Sequence, residues 1–202
     1  MLVLGTHNVK KGVELRDFLL PHGVRLMTLA DLPNSIDVVE DGDSFAANAA
    51  LKATQQAVHL RQWVIGEDSG LSVDALNGAP GIFSARFAGE DATDQDNNDR
   101  LLADLAAVPL ENRTANYTCH VAISDPDGHV QLKCEAICRG RIRSEPAGEA
   151  GFGYDPLFEL IEYHRTFGEL GGAVKSVLSH RARAMRQFVP QLLRLVQSGA
   201  IS

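Results

Sequence analysis

The sequence predicts an α/β fold with a mixed sheet, on three observations. Short apolar runs alternate with helix-patterned stretches from the N-terminus to about residue 65. Two longer alternating segments then face each other across a tight-turn signature, so a hairpin joins a sheet that βα units began. A helical stretch closes the chain. The 202 residues suffice for one domain or two closely joined lobes, and two lobes with a cleft between them are expected.

Residues 2–5 read as a buried strand. Asn8 can cap a helix over roughly 9–20, whose apolar positions Val13, Leu15, Phe18 and Leu19 lie mainly on one side. Residues 24–28 read as a second strand. Ser44 is a good N-cap for a long alanine-rich helix over about 45–60. Trp63-Val64-Ile65-Gly66 is a short apolar strand expected to end in Glu67-Asp68-Ser69-Gly70. Asn77-Gly78-Ala79-Pro80-Gly81 is turn or loop. Thr93 caps a helix through about 106. Residues 115–124 and 129–141 alternate as two strands, joined by Asp125-Pro126-Asp127-Gly128. A final helix is predicted from about 173 to 198, kinked or split at Pro190.

Hydrophobic residues make up 45% of the chain, enough for a sizeable core. A net charge of −7 argues against broad binding to nucleic acid, which needs a basic face, but not against one nucleotide with its metal. Nothing resembles a signal peptide, and no run of 18 apolar residues exists to span a membrane. Cys119, Cys134 and Cys138 form no CxxC pair; they read as reduced, structural thiols of a cytoplasmic protein, with Cys119 buried in a strand. Only 5 lysines stand against 14 arginines, and Lys10, Lys11, Lys52 and Lys175 all fall in the motifs below. A compact ammonium fits where a planar fork does not, although so small a count also arises by chance.

Four constellations carry the chemistry. Thr6-His7-Asn8-Val9-Lys10-Lys11 lies between a strand and a helix, where opening N–H groups and lysines favour an anion; a capped, solvated helix start is the bland alternative. Asn48 and Lys52 share one face of the small-residue helix, which permits close packing or close ligand approach. Glu67-Asp68-Ser69-Gly70 places acids at the end of a buried strand, and magnesium takes oxygen ligands from one or two carboxylates plus phosphates. Asp68 is the expected metal ligand and base, and Glu40 a second acid or else a solvated loop carboxylate.

The fourth constellation is Gly151-Phe152-Gly153-Tyr154-Asp155-Pro156, with Lys175 and Ser179-His180-Arg181 after it. Phe152 or Tyr154 can stack on a base, and Asp155 can accept from a ring N–H; a tight aromatic turn in the core is the alternative. Lys175 and Arg181 are pure donors, which match a 6-oxo purine edge and mismatch a 6-amino one. Positions 175 and 180 share no helical stripe, so their convergence requires the helix to begin near Lys175 or to run along the pocket.

These residues resemble the inosine triphosphate pyrophosphatase family, the dITP/XTP pyrophosphatases. The ordered matches run over nearly the whole chain: Thr6 to Lys11, Ser44-Phe45 through Asn48 and Lys52, Asp68-Ser69-Gly70, Gly78-Ala79-Pro80-Gly81 through Arg86, Gly89 to Thr93, Glu145-Pro146 through Pro156, and Lys175 with Ser179-His180-Arg181. The resemblance implies a two-lobed α/β structure with a long central mixed sheet flanked by helices, and a homodimer. It implies hydrolysis of ITP, dITP or XTP to the monophosphate and pyrophosphate with Mg2+, rather than phosphate release or nucleotide sensing without turnover. Thr6, Asn8 and Lys11, with Lys52, then resemble a triphosphate-binding set that includes the intervening His7, Val9 and Lys10. Asp68 resembles the general base and metal ligand, with Ser69 touching substrate. Phe152, Gly153, Tyr154, Asp155, Lys175, His180 and Arg181 resemble the base-recognition set. The chain departs from the family pattern at His7, usually glycine, at Lys10, at Glu67, often aspartate, and at Ala173-Val174, usually acidic. A second carboxylate at Glu67 is expected to raise the proton affinity of Asp68.

Overall fold

The computed structural model describes residues 2–201. Seven strands form one mixed sheet in the order β2-β1-β3-β4-β5-β6-β7. They are β1 Leu2–Leu4, β2 Leu26–Thr28, β3 Trp63–Val73, β4 Thr114–Ser124, β5 Val130–Ile142, β6 Phe158–Leu160 and β7 Arg165–Thr166. The helices are α1 Val9–Leu19, α2 Phe45–Leu60, α3 Asp94–Asp104, α4 Phe167–Leu178 and α5 His180–Gln197. β1 pairs in parallel with β2 and with β3, whereas β6 pairs antiparallel with β5 and with β7. Helices return the chain to make the parallel pairs of β1, whereas β6 reaches β7 through a short turn over Ile161–Tyr163.

The helix starts at Asn8, Ser44 and Thr93 form as the sequence indicates. Asn8 Oδ1 accepts from the Lys11 amide at 3.0 Å, and Ser44 Oγ from the Ala47 amide at 3.3 Å. Thr93 and Asp96 form a reciprocal capping box on α3. On α1 the buried positions are Gly12, Leu15 and Leu19, while Val13 is 41% exposed. Positions 12, 15 and 19 repeat at the helical spacing, and 13 falls off that stripe.

Two expectations need correction. β3 does not end within Glu67-Asp68-Ser69-Gly70; it runs on through them to Val73, with both carboxylates buried among cations. The closing helix is two helices, and the break lies at Ser179, whose backbone is extended, rather than at Pro190, which α5 incorporates. The span of α4 opens at a Thr166–Glu169 capping box, but Gly171, at φ +76° and ψ 176°, interrupts it, and the part after this kink starts close to the expected residue 173. That T-x-x-E spacing was readable in the sequence. The three-residue β6 and two-residue β7 are too short to leave a periodic signal.

The chain forms two compact units. One comprises residues up to Asp68, Cys119–Ala136 and residues from Arg181 onward; the other comprises Ser69–Thr118 and Ile137–His180. Each has its own apolar core. In the first, Leu2, Leu4, Leu15, Ile65, Cys119, Met185 and Phe188 pack together. In the second, Leu71, Leu101, Tyr117, Phe158 and Phe167 do so. Burial of each large side chain contributes about 1.5–3 kcal/mol.

The alanines of α2 meet β3 at Gly66. A Cβ there would lie 2.2 Å from the Ala49 carbonyl oxygen and 2.6 Å from the Ala53 nitrogen, so only glycine lets the helix sit this close. Gly66→Ala should therefore destabilise the protein by roughly 1–3 kcal/mol, read as a lower urea midpoint. Three capping carboxylates set an acid limit. Hydrogen bonds from Thr28, Thr93 and Thr166 hold Asp31, Asp96 and Glu169 below their ordinary values. Their contribution is present above the ordinary carboxylate range and is lost as pH falls through the lowered values. Urea midpoints should fall between pH 5 and pH 3 (a range of about the normal carboxylate pKa values), and less steeply in Thr93→Val.

Candidate active site

The geometry follows from the two faces of β3. Successive strand residues point to opposite sides. Val64 belongs with Ala57 and Leu29, on the side covered by α2, whereas Ile65 belongs with Leu15 and Met185, on the side of α1 and α5. The same alternation delivers Glu67, two residues after Ile65, to α1 and α5, and Asp68, four residues after Val64, to α2.

On the α2 side, Lys52 Nζ lies 2.9 Å from Asp68 Oδ1 and 2.7 Å from Glu40 Oε2, and donates to the Glu67 carbonyl at 3.3 Å. Asp68 is 6% exposed. Its Oδ2 is buried and has no hydrogen-bond partner among the described residues. Burial raises the proton affinity of Asp68; Lys52 and Lys11 oppose this, and Glu67 adds only a smaller push. Desolvation, not the neighbouring acid, is thus the main cause. Burial acts to lower the Lys52 value, but the charges of Asp68 and Glu40 outweigh it and hold the ammonium protonated. Buried Asn48 accepts the Gly42 amide at 2.9 Å, which tethers the loop that follows Glu40 to α2. Asn48 is therefore a positioning residue here.

On the α1 side, Lys11 Nζ lies 3.2 Å from Glu67 Oε2. Arg181, 2% exposed, donates from Nε and Nη2 to Glu67 Oε1 at 3.2 and 3.0 Å, and from Nη1 to Glu14. The loop between β1 and α1 is shaped by its own side chains: Thr6 Oγ1 accepts the Asn8 amide at 3.1 Å, and Asn8 caps α1. His7, Asn8, Val9 and Lys10 are exposed, and the His7 ring lies 3.4 Å from Asp37. Opening N–H groups of an eleven-residue helix with no acid in its first turn favour an anion here.

In the second unit the aromatic turn divides its rings. Tyr154 is buried in the core, and its hydroxyl donates to the Ser84 carbonyl at 2.8 Å. Its ring is not presented for stacking. Phe152 remains half-buried, with Lys175 Nζ 4.0 Å from its ring centroid. Asp155 Oδ2 accepts the Phe152 amide at 2.8 Å and binds Lys175 Nζ at 2.6 Å. Gly151, at φ +83°, leaves room for that carboxylate, since a Cβ would come within 2.1 Å of it. Gly153 offers its carbonyl to Asn98 Nδ2 at 3.1 Å. His180 stacks on Tyr117, centroids 4.6 Å apart and planes 11° apart. Ser69 begins this unit on β3.

Phe152, Asp155 and Lys175 are thus brought together, as are Lys11, Lys52, Glu40 and Asp68. Arg181, expected with the base-recognition set, lies in the first unit and bonds Glu67 and Glu14. Glu14 and Asn98 escaped the sequence reading. Glu14 follows Lys11 by three residues, one helical turn, which is a usable signal; Asn98 left none beyond its place on a capped helix.

The whole-chain pattern matches known proteins. The model of the Ham1 family matches residues 2–191. The chain belongs to the Ham1 family. A dITP/XTP pyrophosphatase of Rhodopirellula baltica is 60% identical over 201 residues, covering 100% of this chain and 97% of the relative. One of Desulforamulus reducens is 45% identical, covering 96% of each. The solved Ham1 protein of Coxiella burnetii superposes with a TM-score of 0.88 at 33% identity, covering 96% of this chain and 98% of its own. The fold expected from the sequence is therefore that of Ham1 proteins.

Among the described residues no group of three or more His, Cys, Asp or Glu side chains could by itself hold a metal. Asp68 and Glu40 nonetheless fit a hard divalent cation whose remaining ligands are phosphate oxygens and water. The buried Oδ2 of Asp68 is the oxygen that such an ion would satisfy. Glu67 does not fit, because Lys11 and Arg181 already neutralise it. Lys52→Met would leave Asp68 buried without its counter-charge, so stability should fall by about 3 kcal/mol, measured by urea unfolding at neutral pH.

Proposed function

We propose that this chain hydrolyses non-standard purine nucleoside triphosphates, ITP, dITP and XTP, to the monophosphate and pyrophosphate. The observation that carries the reading is the buried Asp68 carboxylate, with one oxygen on Lys52 and the other buried without a hydrogen-bond partner. The names of its Ham1 relatives supply the substrate class. Magnesium, held by Asp68 and Glu40, would supply charge neutralisation to the phosphates. Lys11, Lys52 and the opening amides of α1 bind the phosphate oxygens and offset charge on the departing pyrophosphate. Asp68, its basicity raised by burial, acts as the base toward the attacking water. The Phe152 ring stacks on the base, and Lys175 donates toward a 6-oxo edge, which an adenine amino group cannot accept.

Further readings belong to the same proposal. Soluble turnover in the cytoplasm agrees with three cysteines outside any disulfide and with no helix long and apolar enough to cross a membrane among the described residues. A homodimer and a two-lobed arrangement follow from the family resemblance.

Asp68→Asn should lower kcat for ITP with magnesium by at least about 100-fold, while the variant still folds. Phosphorus NMR should identify pyrophosphate as the product, and ATP should turn over far more slowly than ITP. Phosphate as the product, or equal rates for ATP and ITP, would overturn the reading.

A further inference from the structure

The proposed mechanism gives no role to the buried acid Glu67. Glu67 is 1% exposed, in the same strand as Asp68 but on the opposite face. It is neither base nor metal ligand. Its two oxygens are divided between two cations: Oε2 faces Lys11 Nζ at 3.2 Å, and Oε1 faces Arg181 at 3.0 Å. Arg181 is in turn held by Glu14. Lys11, Glu67, Arg181 and Glu14 thus form a neutral quartet of two cations and two anions. The Cys119 thiol, 3.4 Å from Glu67 Oε1, closes it on the strand side, and its own pKa is raised well above normal by burial and by the Glu67 charge.

We infer that Glu67 is a positioning residue, the buried counter-ion that fixes the Lys11 ammonium for the substrate's polyphosphate. The inference rests on the phosphate-binding role proposed for Lys11. An ammonium has three donors on a flexible four-carbon stem. An ion pair with a rigid, buried carboxylate fixes the place of the ammonium, leaves its donors for phosphate and removes much of the freedom that binding would otherwise freeze. Arg181 holds Glu67 in place, since two donors of a guanidinium of fixed geometry converge on Oε1. Arg181 therefore acts on the phosphates through Glu67 and Lys11. Asp68 cannot substitute for Glu67 in this role, because the strand's alternation points it at α2.

The test is a double-mutant cycle on Lys11→Met and Glu67→Gln, reading the affinity for inorganic tripolyphosphate by calorimetry and KM and kcat for ITP separately. Glu67→Gln should weaken tripolyphosphate binding about tenfold in the wild-type background and by less than about twofold in Lys11→Met. KM should rise more than kcat falls. Equal losses in both backgrounds would overturn the inference, because a merely structural glutamate costs the same whether or not Lys11 is present. If Lys11→Met itself leaves tripolyphosphate binding intact, the phosphate-binding role of Lys11 fails instead. Should Glu67→Gln not fold, Glu67→Asp enters the same cycle; it keeps the charge and shortens the reach, and the same non-additivity is expected.

Discussion

Everything at the candidate active site depends on two consecutive buried carboxylates being neutralised from opposite sides of one strand. An isolated charge in a protein interior is too costly to keep. β3 hands Glu67 to Lys11 and Arg181, and Asp68 to Lys52. The pleat does the sorting, and the helices supply the cations at the matching height.

This arrangement explains features that look unrelated. α2 is alanine-rich because it must approach Gly66 closely enough for Lys52 to reach the next position on that face, Asp68. Asn48 sits in the helix interior despite its poor propensity because it tethers the loop after Glu40. Arg181 opens α5 fully buried because its partners, Glu67 and Glu14, lie on β3 and α1. In the second unit the same logic recurs on a smaller scale: Asp155 is buried, and Lys175 both neutralises it and lies over the Phe152 ring.

The uneven desolvation of the two acids separates their chemistry. Both oxygens of Glu67 face cations, so it serves as a fixed charge. Asp68 commits one oxygen to Lys52 and keeps the other for a ligand, with its basicity raised by burial. Two adjacent carboxylates thus take different tasks from their surroundings, not from their identity.

Local signals were strong enough in the sequence to place most elements. The caps at Asn8, Ser44 and Thr93, the hairpin at Asp125–Gly128 and the motif residues were all legible, because each depends on neighbours within one turn. The sequence could not say where β3 ends, because its continuation depends on cations from α1, α2 and α5. It could not show that Tyr154 is a core ring while Phe152 is not, or that Arg181 belongs with Glu67, 114 residues away in the chain. Sequence by itself determined which residue types were available and the short-range geometry they favour. The tertiary structure alone decided which charges became partners, since a buried carboxylate takes its role from whichever cation folding delivers to it.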